Sequence, residues 1–326
     1  MVRSHIIPQH YLSHFADGRG RLKVYEKDKL PRLGTPKNEA AENGYFAYQK
    51  KSGDTDESME EILARIEGEG STALRLLANP CYVLFNADKL KLARYIAMLF
   101  CRTRARKNAS ETIGNRLCEA TRRIAKNDDV VTNLAQHYTR LVGSEVTPQS
   151  VRGSIERVLA DAQSPTGSRN YFIQTLLFTA GKILPQIQDK NWQVWLTREP
   201  NLFITSDNPV MTMKQTETGV FSPGWGFSNP GVVTVFPVAA TACLAIGAEG
   251  PPSRYIPTRY VRETNKLVAM CMHRRVYANP HSDEGEVQFL VDSCGGQIRY
   301  LENAFVSSRA DEDYDKMAED LILGRD

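Results

Sequence analysis

Two polar blocks of this chain carry the side-chain types that general acid–base chemistry requires. The first is at the amino terminus, where the imidazole of His5 stands immediately before the apolar residues 6–8. The second follows the apolar run 202–204 and places the carboxylate of Asp207 among small polar residues. An imidazole and a carboxylate are natural partners, because the carboxylate orients the ring and raises its proton affinity. We therefore predict that His5 and Asp207 belong to one catalytic site.

Polar neighbours of these two residues are candidates for substrate binding. Gln9 and Tyr11 follow His5, while Ser206 and Asn208 flank Asp207. The alternative interpretation is structural, since Ser, Asp and Asn before a proline are common turn formers that hydrogen-bond their own backbone. Ser206 lacks the glycine-flanked turn of a serine-hydrolase nucleophile, so covalent catalysis by this residue is not expected.

A basic segment supplies guanidinium groups that could hold a phosphate. It begins with Arg102 and Arg104 and continues to Lys126 with two glutamates as its only acidic residues. Arg102 follows the apolar residues 99–101, so its side chain either reaches into a site or forms an internal ion pair. Arg102 and Arg104 are thus candidates for substrate binding, with nucleic acid or a nucleotide as the partner. A solvated helix face is the alternative.

The sequence leaves the cofactor open. A divalent metal would suit a hydrolytic site, and His10 and His14 have the four-residue spacing of helical metal ligands. No glutamate lies between them as in a metalloprotease helix, and the alternative is a pair of half-buried histidines near a terminus. None of the six cysteines forms a Cys-x-x-Cys pair, which argues against a zinc cluster.

The spacing of apolar residues divides the chain into two halves. Through much of 58–186 apolar residues repeat at helical spacing, and after Asp189 they alternate as in short strands. The predicted fold is α+β: a helical array in the first half (about 58–186) with a smaller, mainly antiparallel sheet in the second half (about 190–280). Residues 1–310 are predicted to form one integrated domain, followed by an acidic tail at 311–326.

Three local expectations follow from the same patterns. Residues 90–184 should be almost purely helical, and 189–278 should contain the main sheet. The segment 27–53 is rich in proline, glycine and scattered polar residues, which predicts an irregular loop. Gly68 and Gly70 weaken the middle of a helix that begins at Ser58 and could break it there.

Composition is typical of a cytoplasmic globular protein. The 326 residues are 41% hydrophobic and 24% charged, enough to bury a core without disulfides. No apolar run approaches the roughly 20 residues that span a bilayer, and residues 1–8 lack a signal-peptide segment, so a membrane partner is not expected. The net charge of +3 does not require a polyanionic partner, and the sequence does not specify an oligomeric state.

The two polar blocks, taken with their neighbours, resemble the motifs of the bacterial family called domain of unknown function 4238. The opening His5-Ile6-Ile7-Pro8-Gln9-x-Tyr11-Leu12-x-x-Phe15 looks like the start of that family, and Thr205-Ser206-Asp207-Asn208-Pro209-Val210 looks like its central motif. Residues 236–238, Asn265 and 275–278 are also similar, so the resemblance spans about His5 to Ala278. It implies a bacterial or phage-linked cytosolic protein, with some members in mobile-element or antiviral contexts and no agreed activity.

Two functions remain open on this basis. The first is a nucleic-acid- or nucleotide-directed hydrolase that cleaves a phosphodiester by metal-assisted or general-base catalysis at His5 and Asp207. The second is a non-catalytic ligand- or nucleic-acid-binding regulatory module, in which a buried His5–Asp207 hydrogen bond pins the amino terminus to the sheet. They differ in whether these two side chains face a shared open pocket or lock each other in the core.

Overall fold

The computed structural model describes residues 2–50, 52–79, 82, 84–215 and 221–298. Within these residues the helices are α1 (Gln9–Ser13), α2 (Ser58–Leu76), α3 (Asn86–Cys101), α4 (Arg104–Ala125), α5 (Asp128–Val142), α6 (Pro148–Ala162), α7 (Pro165–Gln188), α8 (Thr258–Cys271) and α9 (Glu284–Cys294). The strands are β1 (Arg3–His5), β2 (Leu22–Glu26), β3 (Arg32–Gly34), β4 (Ala41–Asn43), β5 (Tyr48–Gln49), β6 (Thr55–Asp56), β7 (Trp192–Leu196), β8 (Thr205–Ser206), β9 (Met211–Gln215), β10 (Phe221–Pro223), β11 (Val232–Ala239), β12 (Ala242–Ile246), β13 (Ser253–Tyr255) and β14 (Arg275–Ala278).

The predicted α+β fold is confirmed. The described residues between 90 and 184 contain helices α3 to α7 and no strand, as the helical spacing of apolar residues indicated. The largest sheet has six strands in the order β10-β9-β11-β12-β7-β13 and lies wholly within the second half. Its neighbouring strands are antiparallel, except that the edge strand β13 runs parallel to β7.

A second sheet joins distant parts of the chain in the order β3-β2-β14-β8. Within it, the register of β14 places Tyr277 opposite both Val24 and Thr205. The segment 27–53 is not the irregular loop that its composition predicts, because β3, β4 and β5 lie within it. These strands have two or three residues each and pair with other segments, so alternation along the sequence is too short to reveal them.

The main core cluster includes α8 and side chains from both larger sheets. Trp195, Met211 and Val235 come from the six-stranded sheet, while Tyr25 and Val276 come from the four-stranded sheet. Each large apolar side chain buried here contributes about 1.5–3 kcal/mol relative to an exposed position. This core fixes the position of the connection between α8 and β14.

Helix α2 is continuous, so the weak point expected at Gly68 and Gly70 does not break it. A Cβ atom on Gly70 would lie only 2.9 Å from the Cβ of Tyr95 on α3. Glycine is therefore needed here for the close approach of two helices, and packing offsets its low helix propensity.

The described chain divides into two compact units. The sheet unit comprises residues 2–107 and 176–298, and the helical unit comprises residues 108–175. The single integrated domain over 1–310 stays a prediction, and the acidic tail predicted at 311–326 lies outside the described residues. Among the described helices, none is both long and apolar enough to cross a membrane.

Candidate functional site

The block at 205–208 forms a hydrogen-bonded clasp inside the sheet unit. Thr205 Oγ1 lies 2.6 Å from the hydroxyl of Tyr11, which also donates to the Pro237 carbonyl at 2.6 Å. Since a phenol has one proton, Tyr11 accepts the hydrogen bond of Thr205. Burial raises the pKa of Tyr11 well above its ordinary value, so the phenol stays neutral. Tyr11 therefore links α1 to β8 and β11.

Asp207 closes the connection between α8 and β14. Its carboxylate accepts backbone hydrogen bonds from His273 at 2.9 Å, Arg274 at 2.9 Å and Arg275 at 3.1 Å. Burial raises the pKa of this carboxyl, while the three amides and the nearby His273 act in the opposite direction. With these amides as partners, Asp207 has the environment of a structural acceptor, and its predicted catalytic role stays a prediction.

Ser206 and Asn208 support the same connection. The hydroxyl of Ser206 accepts the amide of Asn208 at 3.2 Å, and the Asn208 side-chain amide donates to the Cys271 carbonyl at 2.9 Å. Both residues are buried. This is the turn-forming role that Ser, Asp and Asn before a proline favour.

His5 and Asp207 have separate partners. His5 Nε2 lies 3.1 Å from the Lys37 carbonyl, and the hydrogen bonds of Asp207 go to residues 273–275. The direct imidazole–carboxylate bond expected from their chemistry is therefore not formed. Gln9 is exposed at the first residue of α1.

The basic segment is largely occupied by internal contacts. Arg102 is buried, donates to Glu67 Oε1 at 2.6 Å and to the His5 carbonyl, and lies over the Phe46 ring. Arg104 is exposed and pairs with Glu42 at 2.6 Å. The Arg106 guanidinium stacks 3.6 Å from the centroid of Phe100. The internal ion pair, which was the alternative for Arg102, is thus what forms, and substrate binding by this residue would require breaking it.

An imidazole, a carboxylate and a guanidinium do meet, but two of the residues differ from those predicted. His10 Nδ1 lies 3.6 Å from Glu67 Oε2, and Glu67 holds Arg102 through its other oxygen. His10 Nε2 and the Tyr95 hydroxyl are enclosed by protein and have no hydrogen-bond partner within the described residues. Burial lowers the pKa of His10, an effect that Glu67 partly offsets. Glu67 was missed because it lies in a helix 57 residues from His10, where spacing carries no information.

Among the described residues, His10 and His14 have no third side chain beside them that could complete a metal site. Over the described ranges, no group of three or more His, Cys, Asp or Glu residues is placed to hold an ion. His14 Nδ1 lies 3.0 Å from the Val238 carbonyl, so this nitrogen donates to the backbone. Burial also lowers the pKa of His14.

The helical unit is built from α5, α6 and the adjoining parts of α4 and α7. Gly143 ends α5 in the left-handed conformation, with φ of 72°. Thr147 caps α6 and accepts the amide of Ser150 at 3.2 Å, with Pro148 in the first turn. A small buried cluster that includes Val131, Leu134 and Val151 holds α5 against α6.

Polar contacts tie the remaining helices of this unit together. Arg152 on α6 donates to the Ala125 carbonyl at 3.1 Å and pairs with Asp128. The Ser110 and Thr175 hydroxyls join α4 to α7 at 3.0 Å. Specific hydrogen bonds and an ion pair therefore hold the helices of this unit in place.

Between these helices lies a cavity of about 640 Å³, which we call the helical cavity. Its lining is mostly aliphatic and aromatic, and it includes Leu117, Leu134, Ile155, Leu159 and Tyr171. A few polar groups stand in the lining: Glu111, Asn115, Thr121, Ser150, Ser154 and Ser168. An apolar space with a small number of polar groups is the usual form of a small-molecule site.

The thiol of Cys118 also lines the helical cavity. It is the least buried of the described cysteines, since Cys101, Cys243, Cys271 and Cys294 are buried. Burial raises the pKa of Cys118, which keeps the thiol protonated at neutral pH. Burial likewise raises the pKa of Tyr171. The ionisable groups Cys118 and Tyr171 are therefore neutral in the cavity wall.

A protein-family model matches most of the chain. The family model described as "Protein of unknown function (DUF4238)" matches residues 3–282, which include both polar blocks and the helical cavity. No curated protein and no solved structure matches the chain.

Proposed function

The chain belongs to the DUF4238 family, and we propose that it is a cytoplasmic binding protein whose helical unit takes up a small apolar molecule. One observation carries the proposal, the helical cavity of about 640 Å³. Sites for small molecules in proteins measure roughly 300–1,000 Å³, are largely apolar and often lie between helices. Of the two functions expected from the sequence, this is the non-catalytic, ligand-binding one.

The lining defines the chemical class of the ligand. Aliphatic walls favour an apolar body, because each Å² of apolar surface removed from water contributes about 25 cal/mol. The hydroxyls of Ser150, Ser154 and Thr121 can satisfy one or two polar groups of the ligand. Among the described residues no Lys or Arg lines the cavity, so an anionic group would be buried there without a cationic partner at high cost. Glu111 also stands in the lining, so only an anionic group is excluded. We therefore assign an apolar molecule that carries no anionic group and has few polar groups.

The mouth of the cavity exposes apolar side chains that a ligand would cover. Tyr138 and Val142 on α5 and Val158 on α6 line the cavity and are also exposed to solvent. Apolar side chains clustered in this way on a surface are typical of ligand or partner sites. Covering them adds to the free energy of binding.

Val158→Asp provides a test with a matched control. Val158 and Leu141 are both 67% exposed, but only Val158 lines the cavity. With the neutral dye N-phenylnaphthylamine, we expect saturable binding to the full chain that Val158→Asp weakens at least about tenfold, because a carboxylate in the lining must be desolvated. Leu141→Asp should leave the dissociation constant unchanged. Equal effects of the two variants, or no saturable binding, would contradict the proposal.

Sedimentation at the same protein concentrations separates ligand binding from self-association. A monomer that binds one dye molecule supports a small-molecule site. If Val158→Asp instead converts an oligomer to a monomer and leaves dye affinity unaltered, the exposed mouth is an interface between copies and the proposal fails.

A second candidate function is the hydrolysis of a phosphodiester or nucleotide. The observation that favours it is the His10–Glu67–Arg102 network, in which a half-buried imidazole with a lowered pKa can accept a proton. It ranks second because His10 Nε2 is enclosed by protein atoms. Cleavage of bis-p-nitrophenyl phosphate with manganese present, lost in His10→Gln but kept in His137→Gln, would support it. Equal rates in all three proteins would exclude it.

A further inference from the structure

One exposed edge of the sheet unit combines arginine and tyrosine side chains. Strand β13 is the edge strand of the six-stranded sheet, held beside β7 by a register that places Tyr255 opposite Leu196. The amide of Ile256 donates to the Leu196 carbonyl at 3.0 Å, which fixes the segment that leads into α8. The strand end and the first turn of α8 are therefore firmly placed.

Two arginine–tyrosine stacks occupy this edge. The Arg198 guanidinium lies 4.4 Å from the ring centroid of Tyr255, and that of Arg259 lies 5.0 Å from the ring centroid of Tyr260. Tyr255 is 49% exposed and Tyr260 is 38% exposed. A guanidinium stacked on a ring presents a second planar face to solvent.

Three arginines at this edge have no carboxylate partner within the part of the chain that the structure describes. Among the ion pairs of the described residues, none includes Arg198, Arg254 or Arg259, whereas the neighbouring Arg262 pairs with Glu286 at 3.0 Å. All three are exposed. The two glutamates nearest to them in the sequence, Glu199 and Glu263, are fewer than these three arginines, so the net charge of the edge is positive.

We propose that this Arg–Tyr surface, formed by Arg198, Arg254, Tyr255, Arg259 and Tyr260, binds single-stranded nucleic acid. Bases stack on tyrosine rings and on guanidinium planes, and phosphates pair with the remaining guanidinium donors. A duplex offers no free base faces, so single strands fit better. This goes beyond ligand uptake by the helical unit, and neither proposal depends on the other.

Stacking of bases on Tyr255 and Tyr260 contributes to the binding of a nucleic acid but not of a polyanion without bases. Binding of a fluorescent single-stranded oligonucleotide of about 16 nucleotides to the full chain should weaken at least tenfold in the double variant Tyr255→Ala, Tyr260→Ala. Affinity for inorganic polyphosphate should stay unchanged in that variant. Because both rings are exposed, the unfolding midpoint should also stay unchanged, and this is measured on the same samples.

The charge contribution is read from the salt dependence. The double variant Arg198→Ala, Arg259→Ala should weaken the binding of both the oligonucleotide and polyphosphate. For the oligonucleotide it should also reduce the slope of log affinity against log salt by about 1.4, since each phosphate contact contributes about 0.7. The control is Trp225→Ala, at the other edge of the same sheet, where Lys214 lies 5.3 Å from the Trp225 ring. Oligonucleotide binding that the tyrosine variant leaves intact, or that Trp225→Ala weakens equally, would overturn the proposal.

Discussion

Replacing Asp207 with alanine is expected to lower the free energy of unfolding by about 3 kcal/mol or more. Three backbone amides at 273–275 would lose their acceptor inside the sheet unit, and each unsatisfied buried donor costs about 1–3 kcal/mol. Urea denaturation followed by circular dichroism measures the change, with the midpoint interpreted at constant slope.

Two further variants test whether the lost stability comes from the hydrogen bonds that Asp207 accepts. Asp207→Asn keeps one acceptor oxygen and should lose less stability than the alanine variant. Asp189→Ala removes an exposed carboxylate and should change the free energy of unfolding by less than about 0.5 kcal/mol. If Asp207→Ala is as stable as the wild type, the structural role assigned to Asp207 is contradicted. The catalytic role predicted from the sequence would then be favoured.

Replacing Arg102 with alanine should also be strongly destabilising, by about 3 kcal/mol. The guanidinium bridges Glu67 and the His5 carbonyl while it covers the Phe46 ring. Its removal leaves the partly buried Glu67 carboxylate without its arginine partner and the His5 carbonyl without this donor. The shift of the urea midpoint reports the loss.

The adjacent Arg104 is a close control. Its ion pair with Glu42 is solvent-exposed on both sides, so Arg104→Ala should cost less than about 1 kcal/mol. Losses of similar size for the two arginines would show that Arg102 contributes only as a surface charge. A stable Arg102→Ala protein would also leave this arginine available for the phosphate contact predicted from the sequence.

Local patterns in the sequence predicted the helices of 90–184 and the six-stranded sheet, but not the short strands of 27–53 or the continuity of α2. The change from helical to alternating spacing near Asp189 located the six-stranded sheet, and the helical spacing before it located α3 to α7. These features depend on neighbours within a few residues. The turn-forming tendency of Ser206 and Asn208 was visible for the same reason.

Partners across the chain could not be predicted in this way. Asp207 bonds to amides 66 to 68 residues away, and backbone amides have no side-chain signature. His10 and Glu67 meet because α1 and α2 are brought together by the fold, whereas the sequence suggested His5 and Asp207 on chemical type alone. The catalytic role predicted for His5 and Asp207 stays a prediction, although the two side chains do not bond to each other.

The helical cavity also could not be predicted from the sequence. Val151, Ile155 and Leu159 follow the ordinary spacing of an amphipathic helix, which indicates an apolar face but not whether other side chains fill the space beside it. Packing density is a property of all four helix segments together. Only their placement shows that space for a ligand remains.

Protection of Cys118 from a thiol reagent tests ligand uptake most directly, because this thiol lies in the cavity wall and the other described cysteines are buried. Peptide mapping by mass spectrometry measures the rate of Cys118 modification at mildly alkaline pH, with and without saturating N-phenylnaphthylamine. We predict that the dye slows this rate about tenfold or more in the wild type and in Leu141→Asp, and has little effect in Val158→Asp. A rate that stays the same while the dye is bound would place the dye elsewhere and contradict the assignment of the helical cavity as the binding site.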